Sequence, residues 1–438
     1  MLTTFLRIAM TIEQANYYRA SALATPAYPP LQGAHEADAC IVGGGFAGLN
    51  TALGLAERGQ GGKVCLLEAN SVGYGASGRN GGFVFAGFSR GPAELLHDLG
   101  PVRAKALYGG TVAAIELIRS RIARYGIDCR HTDAGVYWAN WFRNPGVLRR
   151  YQELMHEQFG REMRFVPASE FRELVRSARY GDALHEGNAM HFQPLDYAHG
   201  IARAAAAQGV RLFETTPAIA LDRNGAGWRV RTPSGYVDAR NVVLACGGYL
   251  AGLRRDVDAS VLPIATYVMV TETLGARMQD ALRTQAAIYD TRFAFDYYRP
   301  LPDTRLLWGG RISVRDRSPA AVRRLLYRDM LKVFPQLRGV RIESAWSGLM
   351  SYARHEMPQI GRIDDGLWLG QAFGGHGVAP TTLAGEVLAA AIAEDDPRWR
   401  DFQSYGLVSA LKPAGYLGAQ LTYWWLQARD AWRDWRGG

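Results

Sequence analysis

The chain has 438 residues, 48% of them hydrophobic and 21% charged, with a formal net charge of +9. That is enough apolar material for a large core and two domains, and no run of 18 apolar residues occurs, which excludes a spanning helix. Four cysteines (Cys40, Cys65, Cys129, Cys246) without C-x-x-C spacing and nine scattered histidines exclude a metal site and suit a reducing, cytoplasmic setting.

The basic residues are dispersed apart from a C-terminal cluster, and only Lys63, Lys105, Lys332 and Lys412 among them are lysines. A solvated surface accounts for this balance better than nucleic-acid binding; anionic substrates or a membrane surface stay open as partners. Met1 to Met10 is apolar but too short and too Arg-interrupted for a signal peptide, and Met10 is a second candidate start. Thr11 to Asp38 reads as a lead-in, extended through Pro26, Pro29 and Pro30.

Residues 38 to 82 organise the rest. Cys40 to Val42 reads as a buried strand, Gly43, Gly45 and Gly48 give G-x-G-x-x-G, Ala47 to Gly59 reads as a helix, and Val64 to Leu67 as the next strand, closed by Glu68. Gly43 suits a tight turn, Gly45 a close approach to pyrophosphate, and Gly48 close helix–strand packing. The helix N-terminus, with Phe46 and Ala47, offers N–H groups to that anion. Glu68, followed by Ala69, is placed to accept from a ribose diol and disfavours a 2′-phosphate. These residues predict dinucleotide binding.

A second glycine run, Gly73, Gly75, Gly78, Gly81 and Gly82, follows at once and has no purpose in a nicotinamide site. A longer flavin must thread past close backbone, which glycine permits. Gly-Tyr-Gly-Ala-Ser-Gly-Arg-Asn-Gly-Gly (73–82) resembles the flavin-threading motif of the glycine oxidase/D-amino-acid oxidase family, within it the γ-glutamylputrescine oxidoreductase branch most. The resemblance implies cofactor contacts from Gly75, Ala76, Ser77, Arg79, Asn80, Gly81 and Gly82. For Arg79 a structural ion pair is the alternative.

Further along, Glu94 to Tyr125 reads as helix, Cys129 to Trp138 as strand, and Asn144 to Arg179 as helices. Tyr197 to Gln208 reads as a helix capped by Asp196. Val210 to Phe213 and Trp228 to Thr232 read as strands. Ala239 to Leu250 is an apolar strand ending at Gly247, resembling the family's second crossing of the nucleotide domain. Ile264 to Leu274 reads as a strand and Ile288 to Arg311 as a hairpin turning at Pro300–Thr304. On it Phe293, Phe295, Tyr297 and Arg299 share one face, and Asp296 and Tyr298 the other. Ser318 to Phe334 reads as helix, Val340 to Ser344 as a strand leading to Trp346, and Leu367 to Gly370 as the last strand. Gly374, Gly375, His376, Gly377 and Val378 precede a helix from Thr381 to Ile392, and resemble the family's C-terminal flavin loop.

The fold expected is α/β. A discontinuous FAD-binding Rossmann-like domain (38–95, 190–260, 350–400) is joined to a substrate domain with a mixed, largely antiparallel β-sheet (96–189, 261–349) and a C-terminal helical tail (401–438). The activity implied is oxidation of the C–N bond of a small γ-glutamylputrescine-like amine to an imine that hydrolyses to an aldehyde. An amino-acid oxidase or dehydrogenase using pipecolate, proline or a D-amino acid is the alternative. A flavin protein without turnover and a NAD dehydrogenase are rivals of other kinds. Candidate catalytic residues are Tyr298, Arg299, Trp346 and His376, with Tyr297 beside them. An arginine there suits a carboxylate, and His376 is equally placed to meet flavin or to bond locally. The family's sarcosine-oxidase branch uses a C-terminal cysteine and a lysine near the flavin. Neither has a counterpart here, which implies non-covalent FAD and an acceptor that is oxygen or a quinone-like carrier. Tyr416 to Trp435 interleaves tryptophans with arginines, which suits either peripheral contact with the inner face of a membrane or packing back on the protein.

Overall fold

The strand Gly33–Val42 lies at the centre of the first sheet, because its last four residues are buried on both faces. The computed structural model describes residues 16–142 and 144–436; the expectations for Met1 to Met10 lie outside them. Gly33–Val42 pairs in parallel with Val64–Leu67 on one side and Gly235–Leu244 on the other. Arg211–Phe213 and Leu367–Gln371 extend the sheet in parallel at its two ends, and Gln359–Asp364 closes it antiparallel. A ribbon, Ala220–Asn224 and Gly227–Thr232, leaves from Gly235–Leu244. Segments far apart in sequence thus share one parallel sheet, and such a sheet must be covered on both faces.

Helices Phe46–Glu57, Pro194–Ala207 and Val378–Glu394 supply apolar cover. Helix Pro92–Arg124 kinks at Gly100, which has φ +73°, just before Pro101. Its buried Arg121 donates to Asn50 Oδ1 at 2.6 Å and pairs with Glu57 at 2.5 Å, fixing it to helix Phe46–Glu57.

The second sheet is mixed. Its order is Ile342–Tyr352, Leu262–Thr271, Leu306–Ser313, Asp296–Pro300, Ala287–Asp290, Val136–Ala139, Ala183–Glu186 and Arg164–Val166. Only Ala287–Asp290 with Val136–Ala139 is parallel among these pairs. Helix Pro319–Val333 covers one face, burying Val322, Leu326 and Met330 with Tyr298 and Trp308. The opposite face roofs a cavity.

Several boundaries differ from the sequence reading. Helix Pro194–Ala207 is capped by Gln193, whose side chain accepts from Asp196 N; Asp196 instead accepts from Leu23 N at 2.9 Å. Pro194 at the first helical position needs no N–H partner, so the helix starts earlier than Tyr197. The helix after the C-terminal glycine loop, Val378–Glu394, begins before Thr381 for a similar reason: Pro380 sits in its first turn. Residues 144–179 are not all helical, since Arg164–Val166 forms an edge strand. Trp346 lies inside a long strand rather than after a short one.

A Cβ at Gly48 would lie 2.0 Å from Gly43 O, whereas one at Gly62 meets nothing within 4 Å. Gly48→Ala is therefore expected to cost about 2 kcal/mol or more in denaturant unfolding and Gly62→Ala close to nothing.

Candidate active site

Gly43 turns the chain out of the first strand at φ +114°, where a Cβ would sit 2.6 Å from Ala245 O. The turn delivers Gly45 as the N-cap of helix Phe46–Glu57. Phe46 N–H donates to Ser77 Oγ at 2.8 Å, which leaves the outward first-turn N–H groups to Ala47 and Gly48 by helix geometry. Glu68, at the end of the second strand, accepts from Gly44 N and Asn70 N, both at 2.8 Å. Burial raises its pKa.

These groups open onto a cavity of about 1260 Å³ that runs beneath the second sheet. Gly43, Gly45, Phe46, Ala47, Glu68 and Ala69 line one part. Gly75, Ala76, Ser77, Arg79, Asn80, Gly81 and Gly247 continue it, and Gly374, Gly375, His376, Gly377 and Val378 meet it from the last helix. Gly48 and Gly82 stand behind this wall. At Gly82 (φ +80°) a Cβ would lie 2.1 Å from Phe192 O, and at Gly81 one would lie 2.6 Å from the Tyr297 ring. Glycines in this run therefore admit other parts of the protein.

The loop 79–82 is fastened from several sides. Asn80 Nδ2 donates to Ala76 O and Ser77 O, and its Oδ1 accepts from Gly82 N, so its side chain folds the loop. Arg79 Nε donates to Tyr74 O at 2.9 Å, and its own carbonyl accepts from Trp346 Nε1 at 2.9 Å. Tyr18 OH donates to Asn80 O at 2.9 Å. Arg299, 2% exposed, donates to Gly81 O at 2.7 Å and Phe192 O at 2.9 Å.

Three of the four candidate catalytic residues are thereby relocated. Arg299 directs its donors to Gly81 O, Phe192 O, His191 Nδ1 and Tyr18 OH and does not line the cavity, so it is not placed there to hold a carboxylate. Trp346 braces Arg79 from outside the cavity. Tyr298 lies on the other face of the sheet, stacked on Trp308 with centroids 4.5 Å apart. Tyr297, on the alternate face, does line the cavity, and so does His376.

His376 sits against Phe85, ring centroids 4.0 Å apart, with Nε2 3.2 Å from Phe85 O. Burial lowers its pKa to about 4, so the imidazole is neutral near pH 7. Phe85 stacks on Tyr289 at 5.3 Å, and Tyr289 on Trp138 at 6.1 Å. With Phe295 and Tyr297 these rings make one aromatic wall. Sequence reasoning missed Phe85, Trp138 and Tyr289. Alternation placed strand residues on two faces but not which face meets the cavity.

At the C-terminal loop, Gly374 N–H donates to Ser351 O at 2.8 Å and Gly375 N–H to Ser89 Oγ at 3.1 Å. The positive potential offered to the cavity thus falls to the first turn of helix Val378–Glu394. Two helix N-termini, the Glu68 carboxylate and a long apolar-walled channel fit an extended dinucleotide carrying a planar ring.

The model of FAD-dependent oxidoreductases named DAO matches residues 38–391. The chain belongs to this family. As a DAO-family FAD-dependent oxidoreductase it is 34% identical over 404 residues to the γ-glutamylputrescine oxidoreductase of Escherichia coli, covering 90% of this chain and 92% of that one. It is 32% identical over 382 residues to the probable oxidoreductase OrdL of Haemophilus influenzae, covering 86% and 87%. Among solved structures, glycine oxidase from Geobacillus kaustophilus superposes with a TM-score of 0.71 at 22% identity, over 85% of this chain and 99% of that one. L-proline dehydrogenase from P. horikoshii gives 0.70 at 18% identity, over 86% and 100%. The α/β fold with a discontinuous nucleotide-binding sheet is the family fold.

Two expectations follow for side chains at the cavity. Arg299→Gln is expected to lower stability by about 2 kcal/mol, since Gly81 O and Phe192 O lose their donors; Tyr298→Phe is expected to leave turnover within about twofold. Thermal unfolding and steady-state kinetics check these. His376 is buried neutral, so the unfolded chain takes up its proton first as pH falls below about 6.5. Its contribution to stability is full above that pH and is lost as pH falls toward about 4. His376→Asn should flatten the acid limb of Tm against pH.

Proposed function

We propose that this enzyme oxidises the C–N bond of a small γ-glutamylated amine such as γ-glutamylputrescine, giving an imine that water hydrolyses to the aldehyde. The observation that carries the reading is the match to the Escherichia coli enzyme of that name along nine-tenths of both chains. The aromatic wall supports it, because a ring-lined apolar chamber takes up the methylene chain of such an amine and excludes water from it.

FAD, when bound, supplies the two-electron acceptor. We place its ribose at Glu68 and its pyrophosphate over Gly45 and Ala47, with its ring beside Gly374–Val378 and Arg79–Gly81. The N-terminus of helix Val378–Glu394 favours negative charge at that edge. His376, neutral, adds no cation to repel the incoming amine. Phe85, Tyr289 and Tyr297 exclude water and hold the amine as its free base.

We propose non-covalent attachment. Cys246 is the cysteine that lines the cavity among the described residues; it lies at the nucleotide end, donates to Val42 O, and burial pushes its pKa up to about 12. Lysine is absent from the described lining, which supports a quinone or other carrier rather than oxygen as acceptor. We propose a cytoplasmic setting.

Anaerobic mixing with an amine panel tests the substrate. γ-Glutamylputrescine should bleach the visible flavin band at least about tenfold faster than putrescine, glycine, D-alanine or L-proline. Faster bleaching by an amino acid would replace this reading with the amino-acid oxidase one, and no bleaching by any amine would remove catalysis of this kind. Reoxidation should be faster with a quinone than with air.

A further inference from the structure

The last helix, Ala414–Trp435, has two unlike faces. Its inner face is fastened to the second sheet. Gln420 Oε1 accepts from Val314 N, Tyr423 OH accepts from Ile312 N, and Asp430 accepts from Phe293 N at 2.8 Å. Gly418, Ala419 and Tyr423 on that face line the cavity. The helix therefore forms part of the cavity wall, and the packing reading of the tail describes this face.

The outer face is apolar and exposed. Leu417 is 63% exposed, Leu421 52%, Trp424 57%, Trp425 62%, Trp432 51% and Trp435 82%. At about 100° per residue these six fall within an arc of about 100°. Single exposed apolar residues are ordinary, but a stripe with four tryptophans along one helix is not. The helix is about 33 Å long at 1.5 Å per residue. Among the described residues no helix is long and apolar enough to cross a membrane.

The charges on this helix are sorted. Both acids are engaged by the protein: Asp430 holds Phe293 N, and Asp434 pairs with Arg179. Arg433 and Arg436 stay exposed along one border of the apolar stripe, with Arg436 over the Trp432 ring at 4.1 Å. An outward face of tryptophan and leucine, with Arg429, Arg433 and Arg436 along one border and the uncharged Gln427 and Ala431 along the other, matches the boundary of a bilayer bearing anionic headgroups.

We propose that helix Ala414–Trp435 lies flat on an anionic bilayer surface, its Leu/Trp stripe in the interface and its arginines on headgroup phosphates. The enzyme is then held with one wall of its cavity next to the lipid. The proposal does not depend on which amine is oxidised.

The test is co-sedimentation of the flavin-loaded, full-length enzyme with phosphatidylglycerol-containing vesicles and with pure phosphatidylcholine vesicles. Binding to the anionic vesicles is expected, weakening as salt is raised, with a blue shift in tryptophan emission. Replacing Trp424, Trp425, Trp432 and Trp435 by serine should reduce binding at least about tenfold at unchanged flavin content. Should that variant fold poorly, Arg433→Gln with Arg436→Gln should lower anionic-vesicle binding on the order of tenfold and abolish its salt dependence. Three outcomes would overturn the proposal: no binding of the wild type, binding unchanged in the arginine variant, or a dimer in light scattering that the tryptophan variant converts to monomer.

Discussion

The structure depends on how residues 79–82 are held. This loop has no sheet ladder to satisfy its carbonyls, yet it crosses the interior between the two sheets. Arg299 answers Gly81 O, the Trp346 indole answers Arg79 O, and Tyr18 OH answers Asn80 O. A buried carbonyl without a donor costs on the order of 1–3 kcal/mol. Three donors from the second sheet and the N-terminal segment therefore fix the loop, and with it the nucleotide sheet, against the roof. A guanidinium suits the task because its donors are planar and fixed in direction.

That constraint explains which parts of the site could be read in the sequence. The turn at Gly43, the helix after it and Glu68 are local: spacing along the chain settles them, and the strand Val64–Leu67 came out at its expected bounds. The C-terminal loop was legible for the same reason, although its helix starts three residues earlier than Thr381. The catalytic assignments rested on which side of the roof a residue faces. Period two separated Tyr297 from Tyr298 correctly. Only the packing of Pro319–Val333 decides that Tyr298 faces the core and Tyr297 the cavity. Arg299 has the right face but the wrong depth: it stops at the loop carbonyls before reaching the chamber. Nothing in the local sequence marks those carbonyls as unpaired.

The electrostatics of the chamber follow from burial. Its rings and His376 are neutral, and helix termini add a fixed positive potential to that of the lining arginines Arg79, Arg292 and Arg311. Arg292, in the chamber wall, is engaged with Asp290 at 2.6 Å and Asp296 at 2.5 Å.

A crystal structure with FAD bound tests the central claim most directly. The account predicts the adenosine ribose on Glu68 and the ring held between the Arg79–Gly81 loop and the N-terminus of helix Val378–Glu394, with the aromatic wall facing its open side. A ring bound elsewhere in the molecule, or a Glu68 that makes no contact with the ribose, would contradict it.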